Sequence, residues 1–341
     1  MRCLSLAEEL QRRGNSISFI SRDLPGNSSS LINRKGYGLY LLSTHPFVPV
    51  QDSLTYLQDK WRDDADECIA LLREMPFIND WLIIDHYALD IKWELQLRPW
   101  VSKIMVIDDL ANRPHDCDSL LDQNYCIDMD SRYHNLVPEK CQQLLGSDYV
   151  LLRSEFTQKH GTVRKRGGKV KRILVFFGGS DLGGETEKVL HALYALKPND
   201  IMIDVVVGEA NPRKGRIYSL CQGLQNTNYY CQIDYMANLM EMADMAVGGG
   251  GSTVWERCCI GLPGIVVPVA ENQIMPMREL AKAGAIDLLE REMEVDDYVA
   301  AISRYLDDLT FTEQMVATGR RMFDGQGAER VVSAITGGSY D

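Results

Sequence analysis

The sequence lacks the features that mark membrane-spanning, secreted and disulfide-stabilised proteins. Among its 341 residues, no apolar run approaches the roughly 20 residues that cross a bilayer, and the N-terminus has no signal-peptide pattern. The nine cysteines include the adjacent pair Cys258 and Cys259 but no CxxC spacing, which favours reduced thiols over a disulfide framework or a zinc site. We therefore expect a cytoplasmic protein with no membrane partner and no bound metal.

Acidic residues outnumber basic ones, with 48 Asp and Glu against 36 Lys and Arg. The net charge of −12 argues against nonspecific binding to nucleic acids, so an anionic ligand must be held by local amides and helix ends. One segment, KHGTVRKRGGKVKR at 159–172, is basic and poor in large apolar residues. Nucleic-acid binding is one interpretation of this run. A solvated connector at the head of a second domain is the commoner role of such a segment, and we expect that role here.

Short apolar runs alternate with helical patterns along the chain, which predicts an α/β protein. Residues 52–73 have the pattern of a helix with an acidic face. We expect two doubly wound, Rossmann-like domains, residues 1–157 and 158–341, facing a ligand cleft at the carboxyl ends of their strands. The predicted strands are 16–21, 39–42, 81–85 and 103–107 in the first domain and 172–177, 201–207, 228–231, 245–247 and 264–267 in the second.

The first stretch, MRCLSLAEELQRRG, predicts a one-faced helix, since Cys3, Leu6, Ala7 and Leu10 fall at helical spacing. The strand predicted at 16–21 follows it directly. A helix before the first strand is typical of the crossover in a βαβ unit, so we expect the first strand of the N-terminal domain to be missing from this sequence.

A run of four glycines at 248–251 carries the clearest chemical signal. It follows a predicted strand and precedes Ser252 and Thr253 at the start of a helix, which brings backbone N–H groups and a helix N-terminus together, as in phosphate sites. The sequence has no GxxxxGK[ST] motif, which disfavours ATP hydrolysis. Glu256, one turn later, fits either a ribose-binding carboxylate or an acid that complements the helix dipole.

Several stretches together resemble two-domain enzymes of the glycosyltransferase-B type that act on UDP-sugars. The segment GGGGSTVWERCCIGLPGIVVPVAENQ at 248–273 is similar to the nucleotide-binding segment of such enzymes. The wider combination resembles a more specific family, the UDP-2,4-diacetamido-2,4,6-trideoxy-β-L-altropyranose hydrolases of pseudaminic acid biosynthesis. The stretches that carry this resemblance are IIDHYALD (83–90), IDDLANRPHDCDSLLDQN (107–124), LLRSEF (151–156), FFGGSD (176–181), ENQ (271–273) and DGQGAERVV (324–332).

The resemblance implies hydrolysis of the glycosidic C–O bond of a UDP-linked sugar with inversion, and without a metal or another cofactor. The family begins with a strand and a GxGHxxRxxxLA turn, whose histidine is the proposed catalytic residue. Arg2, Leu6 and Ala7 match the end of that motif. The resemblance therefore implies that the strand, the glycine turn and the histidine, two residues before Met1, lie outside this sequence.

The resemblance also implies roles for residues of both domains. Tyr87 projects into the cleft, Asn272 hydrogen-bonds the sugar, and Glu256 binds the ribose. The loop at 250–253 holds the diphosphate, and residues 179–181 approach the phosphates and the sugar. The implied site comprises Arg2, His86, Tyr87, Gly179, Ser180, Asp181, Gly250, Gly251, Ser252, Thr253, Glu256 and Asn272.

Some of these residues also fit simpler structural roles. A histidine at the end of an apolar strand, such as His86, is more often a hydrogen-bonded structural residue than a catalyst, so Tyr87 is the better catalytic candidate. Asn272 fits a helix N-cap as well as a sugar contact. Asp108 and Asp109 fit an acid–base pair or metal ligands, but turn and cap roles that support the cleft are favoured.

Two other functions fit the same residues. A glycosyltransferase of this architecture would deliver the sugar to an acceptor, and a UDP-sugar-binding protein without catalysis is expected if the histidine is absent. In each case the ligand is a UDP-sugar. We expect a monomer in preference to an oligomer.

Overall fold

The computed structural model describes residues 1–24, 27–44, 53–75, 79–162, 164, 166, 168–198 and 200–337. The chain forms two compact units: unit 1 contains Met1–Leu151 and Gly327–Asp341, and unit 2 contains Leu152–Gln326. Both consist of parallel strands and helices, which confirms the predicted α/β class. Within the described residues, no helix combines the length and the apolar character needed to cross a membrane.

The boundary differs from the prediction of 157/158, and the C-terminal helix lies in the other unit. Phe156 is fully buried in unit 2, where its carbonyl accepts from Cys259. Val331 and Val332 of the C-terminal helix pack with Leu6 in the core of unit 1. Because burial of these apolar faces decides where each helix docks, the chain leaves unit 1 once and returns to it at its end.

The described residues of unit 1 form two separate parallel sheets. The smaller has the order β1-β2 and the larger β3-β4-β5-β6. The four predicted strands are confirmed with shifted ends, and β5 and β6 are additional. The elements of unit 1 are α1 (Arg2–Arg12), β1 (Ser18–Arg22), α2 (Ser29–Arg34), β2 (Gly38–Leu42), α3 (Ser53–Asp59), α4 (Trp61–Glu74), β3 (Asn79–Ile84), α5 (Ile91–Leu97), β4 (Val101–Ile107), β5 (Ser119–Asp122), α6 (Met129–Arg132), β6 (Gln142–Leu145) and α15 (Gly327–Thr336).

Helices α1 and α4 each pack against both sheets of unit 1. Leu4 and Ala7 of α1 join a cluster with Phe19 of β1 and Leu39 of β2, and Leu6 of the same helix packs with residues of β4, β5 and β6. The cluster around α4 contains its residues Ala65, Cys68 and Leu72 together with Leu42 of β2, Ile84 of β3 and Ile104 of β4. The two helices therefore connect the two sheets through shared apolar cores.

The predicted acidic helix at 52–73 differs from the structure in two respects. It is divided into α3 and α4 at Lys60, and one of its acids is buried. The Asp64 carboxylate accepts hydrogen bonds from Arg22 Nε at 2.8 Å and from Trp93 Nε1 at 2.9 Å. A buried carboxylate with two such partners links the helix to the sheet end instead of facing water.

The described residues of unit 2 form a six-stranded parallel sheet with the order β12-β11-β10-β7-β8-β9. Its five predicted strands are confirmed, and the two-residue β12 is additional. Alternate residues of the central strands, such as Ile173, Val175 and Val247, are fully buried in one core. The elements of unit 2 are α7 (Ser154–His160), β7 (Arg172–Phe176), α8 (Glu185–Leu196), β8 (Met202–Val207), α9 (Lys214–Gly223), β9 (Thr227–Cys231), α10 (Met236–Met242), β10 (Met245–Gly249), α11 (Thr253–Cys259), β11 (Gly264–Val267), α12 (Glu271–Lys282), β12 (Asp287–Leu288), α13 (Val295–Asp307) and α14 (Glu313–Met322).

The basic segment at 159–172 is not simply a solvated connector. The Arg166 guanidinium donates to the carbonyls of Met240, Glu241 and Ala243 at the end of α10 and to those of Ile260 and Gly261 after α11, at 2.8–3.3 Å. Burial, together with the charge of Arg164, lowers the pKa of Arg166 to about 10. This arginine satisfies the carbonyls that two helix ends leave unpaired, which is a structural role.

Candidate functional site

The glycine-rich loop of unit 2 connects β10 to the start of α11 at Thr253. The amides of Val254, Trp255 and Glu256 donate to the carbonyls of Gly251 and Ser252. The amides of Gly251, Ser252 and Thr253 have no hydrogen-bond partner within the described part of the chain. Three free N–H groups at a helix start form the kind of site that binds phosphate oxygens.

Three of the four glycines differ in the space that a side chain would find. A Cβ on Gly248 would lie 2.3 Å from the Phe176 carbonyl oxygen, and one on Gly250 would lie 2.8 Å from Met277 Cγ. A Cβ on Gly251 would have Gln273 Nε2, at 3.8 Å, as its nearest contact. Gly248 and Gly250 are therefore required by packing, whereas Gly251 borders open space beside the free amides.

Glu256 is buried in α11, one turn after Ser252. Its Oε1 accepts from Arg153 Nε at 3.1 Å and Nη2 at 3.0 Å, and its Oε2 is buried without a partner among the described residues. Burial raises the pKa of Glu256, although the Arg153 charge partly opposes this shift. An unsatisfied buried carboxylate oxygen costs free energy, and ribose hydroxyls would supply the missing donors.

The ENQ motif lies at the start of α12. Asn272 is exposed in the first turn, and the N-cap position belongs to Ala270, so the structure does not place Asn272 as the helix cap. Gln273 Oε1 accepts from the Val269 amide at 2.9 Å, and a Cβ on Gly250 would lie 3.2 Å from the same oxygen. Gln273 therefore lies beside the glycine-rich loop. It was not in the predicted site, although the ENQ motif contains it.

Residues 179–181 follow β7, which pairs directly with β10. Gly179 and Ser180 are exposed there. Asp181 is buried with φ 42°, and its two carboxylate oxygens accept from the amides of Glu185 at 2.9 Å and Thr186 at 3.0 Å. Both oxygens of Asp181 are thus committed to the start of α8, whereas Gly179 and Ser180 are open to a ligand.

A polar cluster in unit 1 forms where β3 and β4 end. Arg2 donates to Asp85 through Nη2 at 2.6 Å and Nε at 3.0 Å, and through Nη1 to Asp109 Oδ2 at 3.1 Å. The Tyr87 hydroxyl donates to the same Asp109 oxygen at 3.2 Å, and Asp109 Oδ1 is buried without a partner in the described chain. The structure therefore brings Arg2 and Tyr87 together, and adds Asp85 and Asp109 to them.

The cluster fixes the protonation states of its members. Burial and the nearby Asp109 carboxylate raise the pKa of Tyr87 to about 12, so its phenol stays protonated at neutral pH. Burial raises the pKa of Asp85, but the hydrogen bonds and charge of Arg2 outweigh it and hold the pKa below its ordinary value. Tyr87 is therefore a hydrogen-bond donor, and Asp85 is a carboxylate that holds Arg2.

His86 and Asp108 have local structural partners. His86 Nδ1 accepts from the Ala88 amide at 3.0 Å, and burial lowers the pKa of the imidazole. Asp108 is fully buried and accepts from the Ala111 amide at 2.9 Å and from Arg113 Nη1 at 2.7 Å. The turn role favoured for the aspartate pair thus describes Asp108, whereas Asp109 faces Arg2 and Tyr87. In the sequence, the one feature that indicates a role for Asp109 is its position just after a predicted strand.

Comparisons with known proteins cover both units. Residues 173–331 match the glycosyltransferase family 28 C-terminal domain. The chain is 26% identical over 277 residues to the UDP-2,4-diacetamido-2,4,6-trideoxy-β-L-altropyranose hydrolase of Campylobacter jejuni, an alignment that covers 81% of this chain and 89% of that protein. Two similar solved structures are Acinetobacter baumannii MurG, 14% identical, and CalG4, the calicheamicin glycosyltransferase, 15% identical. Each aligns with 99% of this chain and over 95% of its own length, with a TM-score of 0.62.

Both units consist of parallel strands and helices, and the glycine-rich loop of unit 2 lies within the residues that match the glycosyltransferase family 28 C-terminal domain. The chain has the glycosyltransferase-B fold with two Rossmann-like domains, and over most of its length it resembles the UDP-2,4-diacetamido-2,4,6-trideoxy-β-L-altropyranose hydrolases.

Proposed function

We propose that this protein hydrolyses a UDP-linked 2,4-diacetamido-2,4,6-trideoxy sugar to UDP and the free sugar. The binding of the nucleotide is inferred from two sets of groups that lie close together in the sequence. The amides of residues 251–253 are free, and Oε2 of Glu256, one turn later, has no partner among the described residues. The amides would hold the diphosphate and the carboxylate would accept from the ribose hydroxyls. The similarity to the Campylobacter jejuni hydrolase favours water as the acceptor.

In the proposed reaction, a water oxygen bonds to the anomeric carbon on the face opposite UDP. The bond between that carbon and the β-phosphate oxygen breaks, UDP leaves with the electron pair, and the water proton passes to a base or to solvent, so the configuration inverts. The loop amides and the helix start would stabilise the charge that develops on the departing diphosphate, without a metal ion. Gly179, Ser180 and Asn272 are proposed to contact the phosphates and the sugar.

The Tyr87 phenol and the Asp109 carboxylate are the groups of unit 1 that we propose act on water or on the sugar. Tyr87 donates a hydrogen bond at neutral pH, and the free Oδ1 of Asp109 is an acceptor.

The decisive assay follows UDP release from the UDP-sugar in water enriched in ¹⁸O, with EDTA present throughout. We expect UDP without label, free sugar carrying ¹⁸O at the anomeric carbon, and the inverted anomer as the first product. Label in the phosphate would overturn C–O cleavage, and a strict requirement for Mg²⁺ would overturn the metal-free reaction. UDP release only after addition of a sugar acceptor would identify a glycosyltransferase, the activity named for the structurally similar CalG4.

A further inference from the structure

We propose that Arg153 is a positioning residue of the nucleotide site, which binds one oxygen of the Glu256 carboxylate and leaves the other oxygen to accept from the ribose. This inference rests on the proposed function, because it deepens the role given there to Glu256. Arg153 belongs to the stretch LLRSEF at 151–156, which the proposed reaction does not use. Arg153 and Glu256 both lie in unit 2.

The ion pair between Arg153 and Glu256 uses only one carboxylate oxygen. Nε and Nη2 of Arg153 both donate to Oε1 of Glu256, at 3.1 and 3.0 Å. Arginine frequently binds a carboxylate through two parallel bonds, one to each oxygen. Here Oε2 is instead buried without a partner among the described residues. Two donors on one oxygen restrict the rotation of the carboxylate and leave Oε2 as an open acceptor.

The guanidinium of Arg153 is itself held by two neighbours in α7. Its Nη1 lies 2.6 Å from Oε1 of Glu155. Its central carbon lies 4.8 Å from the centre of the Phe156 ring, which is fully buried. The ring and the second carboxylate thus fix the cation that holds Glu256, through a cation–π contact and an ion pair.

The stability of α7 does not explain an arginine at position 153. Arg153 is the N-cap residue of α7, where Ser, Thr, Asp and Asn are preferred because their side chains accept from the first amides of the helix. The Arg153 side chain makes no such hydrogen bond, and a positive charge at a helix N-terminus is unfavourable. The contact with α11 therefore accounts for this residue better than a role in its own helix.

The charge of Arg153 also favours the ionised form of Glu256. Burial raises the pKa of Glu256, the charge and hydrogen bonds of Arg153 oppose this shift, Glu155 adds to it and Arg257 opposes it. The nearby Cys259 thiol stays neutral at neutral pH, because burial raises its pKa to about 12. Without Arg153, the pKa of Glu256 should rise further. A protonated Glu256 is a poorer acceptor for ribose hydroxyls, so UDP affinity should depend on pH through Arg153.

The test measures the binding of UDP and of 2′,3′-dideoxy-UDP to the 341-residue chain by calorimetry. The ratio of the two affinities reports the ribose contact and cancels the titration of the phosphates, which both nucleotides share. At neutral pH, Arg153→Gln should lower this ratio about fivefold or more, but less than about twofold in a Glu256→Gln background, because the two residues act as a unit. Arg278→Gln, from a surface ion pair with Glu290, is the matched control.

The pH dependence of the same ratio separates positioning from a purely structural role. On acidification the ratio should fall at a higher pH in Arg153→Gln than in the unsubstituted chain. Arg153→Lys, which keeps the charge but not the planar fork, should fall at an intermediate pH. If Arg153→Gln does not fold, Arg153→Lys and the double variant still give the comparison, because neither leaves a buried carboxylate without a cation. A fall at the same pH in all forms would overturn the role of the Arg153 charge.

Two further results would overturn the inference, and they are distinguishable from failure of the proposed function. An equal loss of affinity for both nucleotides in Arg153→Gln would place Arg153 on the diphosphate. An unchanged ratio in that variant, with UDP binding by the unsubstituted chain, would overturn the positioning role alone. No UDP binding by the unsubstituted chain would overturn the nucleotide part of the proposed function, and this inference with it.

Discussion

The guanidinium of Arg2 and the carboxylate of Asp85 form a bidentate ion pair across 83 residues of sequence, with N–O distances of 2.6 and 3.0 Å. The pair joins the first turn of α1 to the end of β3. Arg2 also binds Asp109, so one cation connects the ends of two neighbouring strands. Ion pairs of Arg2 thus hold the start of α1 at the carboxyl ends of β3 and β4, whereas apolar side chains hold the rest of the helix.

Removal of the Asp85 charge is expected to destabilise unit 1 in a pH-dependent manner. The pKa of Asp85 lies below its ordinary value in the folded protein, so its contribution is present above the ordinary value and is lost as the pH falls through the folded value. At neutral pH, Asp85→Asn should lower the free energy of unfolding by about 1–3 kcal/mol. Urea unfolding at neutral pH and near pH 3, with the exposed Asp80→Asn as the control, measures both effects. A pH-independent difference would contradict this prediction.

Alanine substitutions at two adjacent glycines should separate packing from ligand binding. Gly250→Ala should destabilise unit 2 by about 1–3 kcal/mol, because its Cβ would overlap Met277 and Gln273. Gly251→Ala should leave stability nearly unchanged and weaken UDP binding, because its Cβ would enter the open space beside the free amides. Thermal unfolding and calorimetric titration with UDP decide the matter. Equal UDP affinity in Gly251→Ala would place the diphosphate elsewhere.

Glu256→Gln should weaken UDP binding by about 1–2 kcal/mol, because a charge-assisted acceptor for the ribose is replaced by a neutral one. The substitution should have no effect on binding of 2′,3′-dideoxy-UDP, which lacks the hydroxyl donors. Glu290→Gln, whose carboxylate pairs with Arg278 on the surface, is the matched control. A similar loss for both nucleotides would mean that Glu256 supports the helix and does not bind the ribose.

Tyr87→Phe should lower kcat by about 100-fold, with little change in KM, if the phenol acts as a donor in the transition state. Since the pKa of Tyr87 is raised to about 12, this residue should contribute no limb to the pH–rate profile near neutrality. The exposed Tyr218→Phe serves as the control. An unchanged kcat would show that the Tyr87 phenol does not act in the reaction, and Asp109 would then be the residue of this cluster to test.

Arg166→Ala should destabilise unit 2 by about 2–4 kcal/mol, because five carbonyl groups at the ends of α10 and α11 lose their shared donor. Lys169→Ala, an exposed substitution in the same basic segment, should have no measurable effect. Nonspecific RNA binding that both substitutions reduce equally would instead support the nucleic-acid interpretation of this segment.

Periodicity in the sequence was sufficient for the long buried strands and for the glycine-rich loop. It missed β5 and β6, because each has four residues of which only two adjacent leucines are apolar. The sequence also does not predict which unit α15 packs in. An amphipathic pattern predicts that one helix face is buried, but it does not identify the core that buries it.

The polar cluster of unit 1 shows the same limit at the level of the site. Tyr87 and Arg2 were implied by the family resemblance, but their shared partner Asp109 was assigned to a turn with Asp108. The two aspartates follow the end of β4, where the chain bends, and there Asp108 accepts from the buried Tyr133 whereas Asp109 accepts from Arg2. Only the folded backbone determines which carboxylate has which role.

The return of α15 to unit 1 sets an order of events during synthesis. In the sequence, unit 2 falls entirely between the two segments of unit 1. The ribosome therefore completes unit 2 before it completes unit 1. Until Val331, Val332 and Ile335 emerge, Met105 and Leu121 have no helix over that part of their core. The unit whose synthesis starts first therefore finishes folding last, and its nascent sheet is the part of the chain that most needs protection from aggregation while the remainder is made.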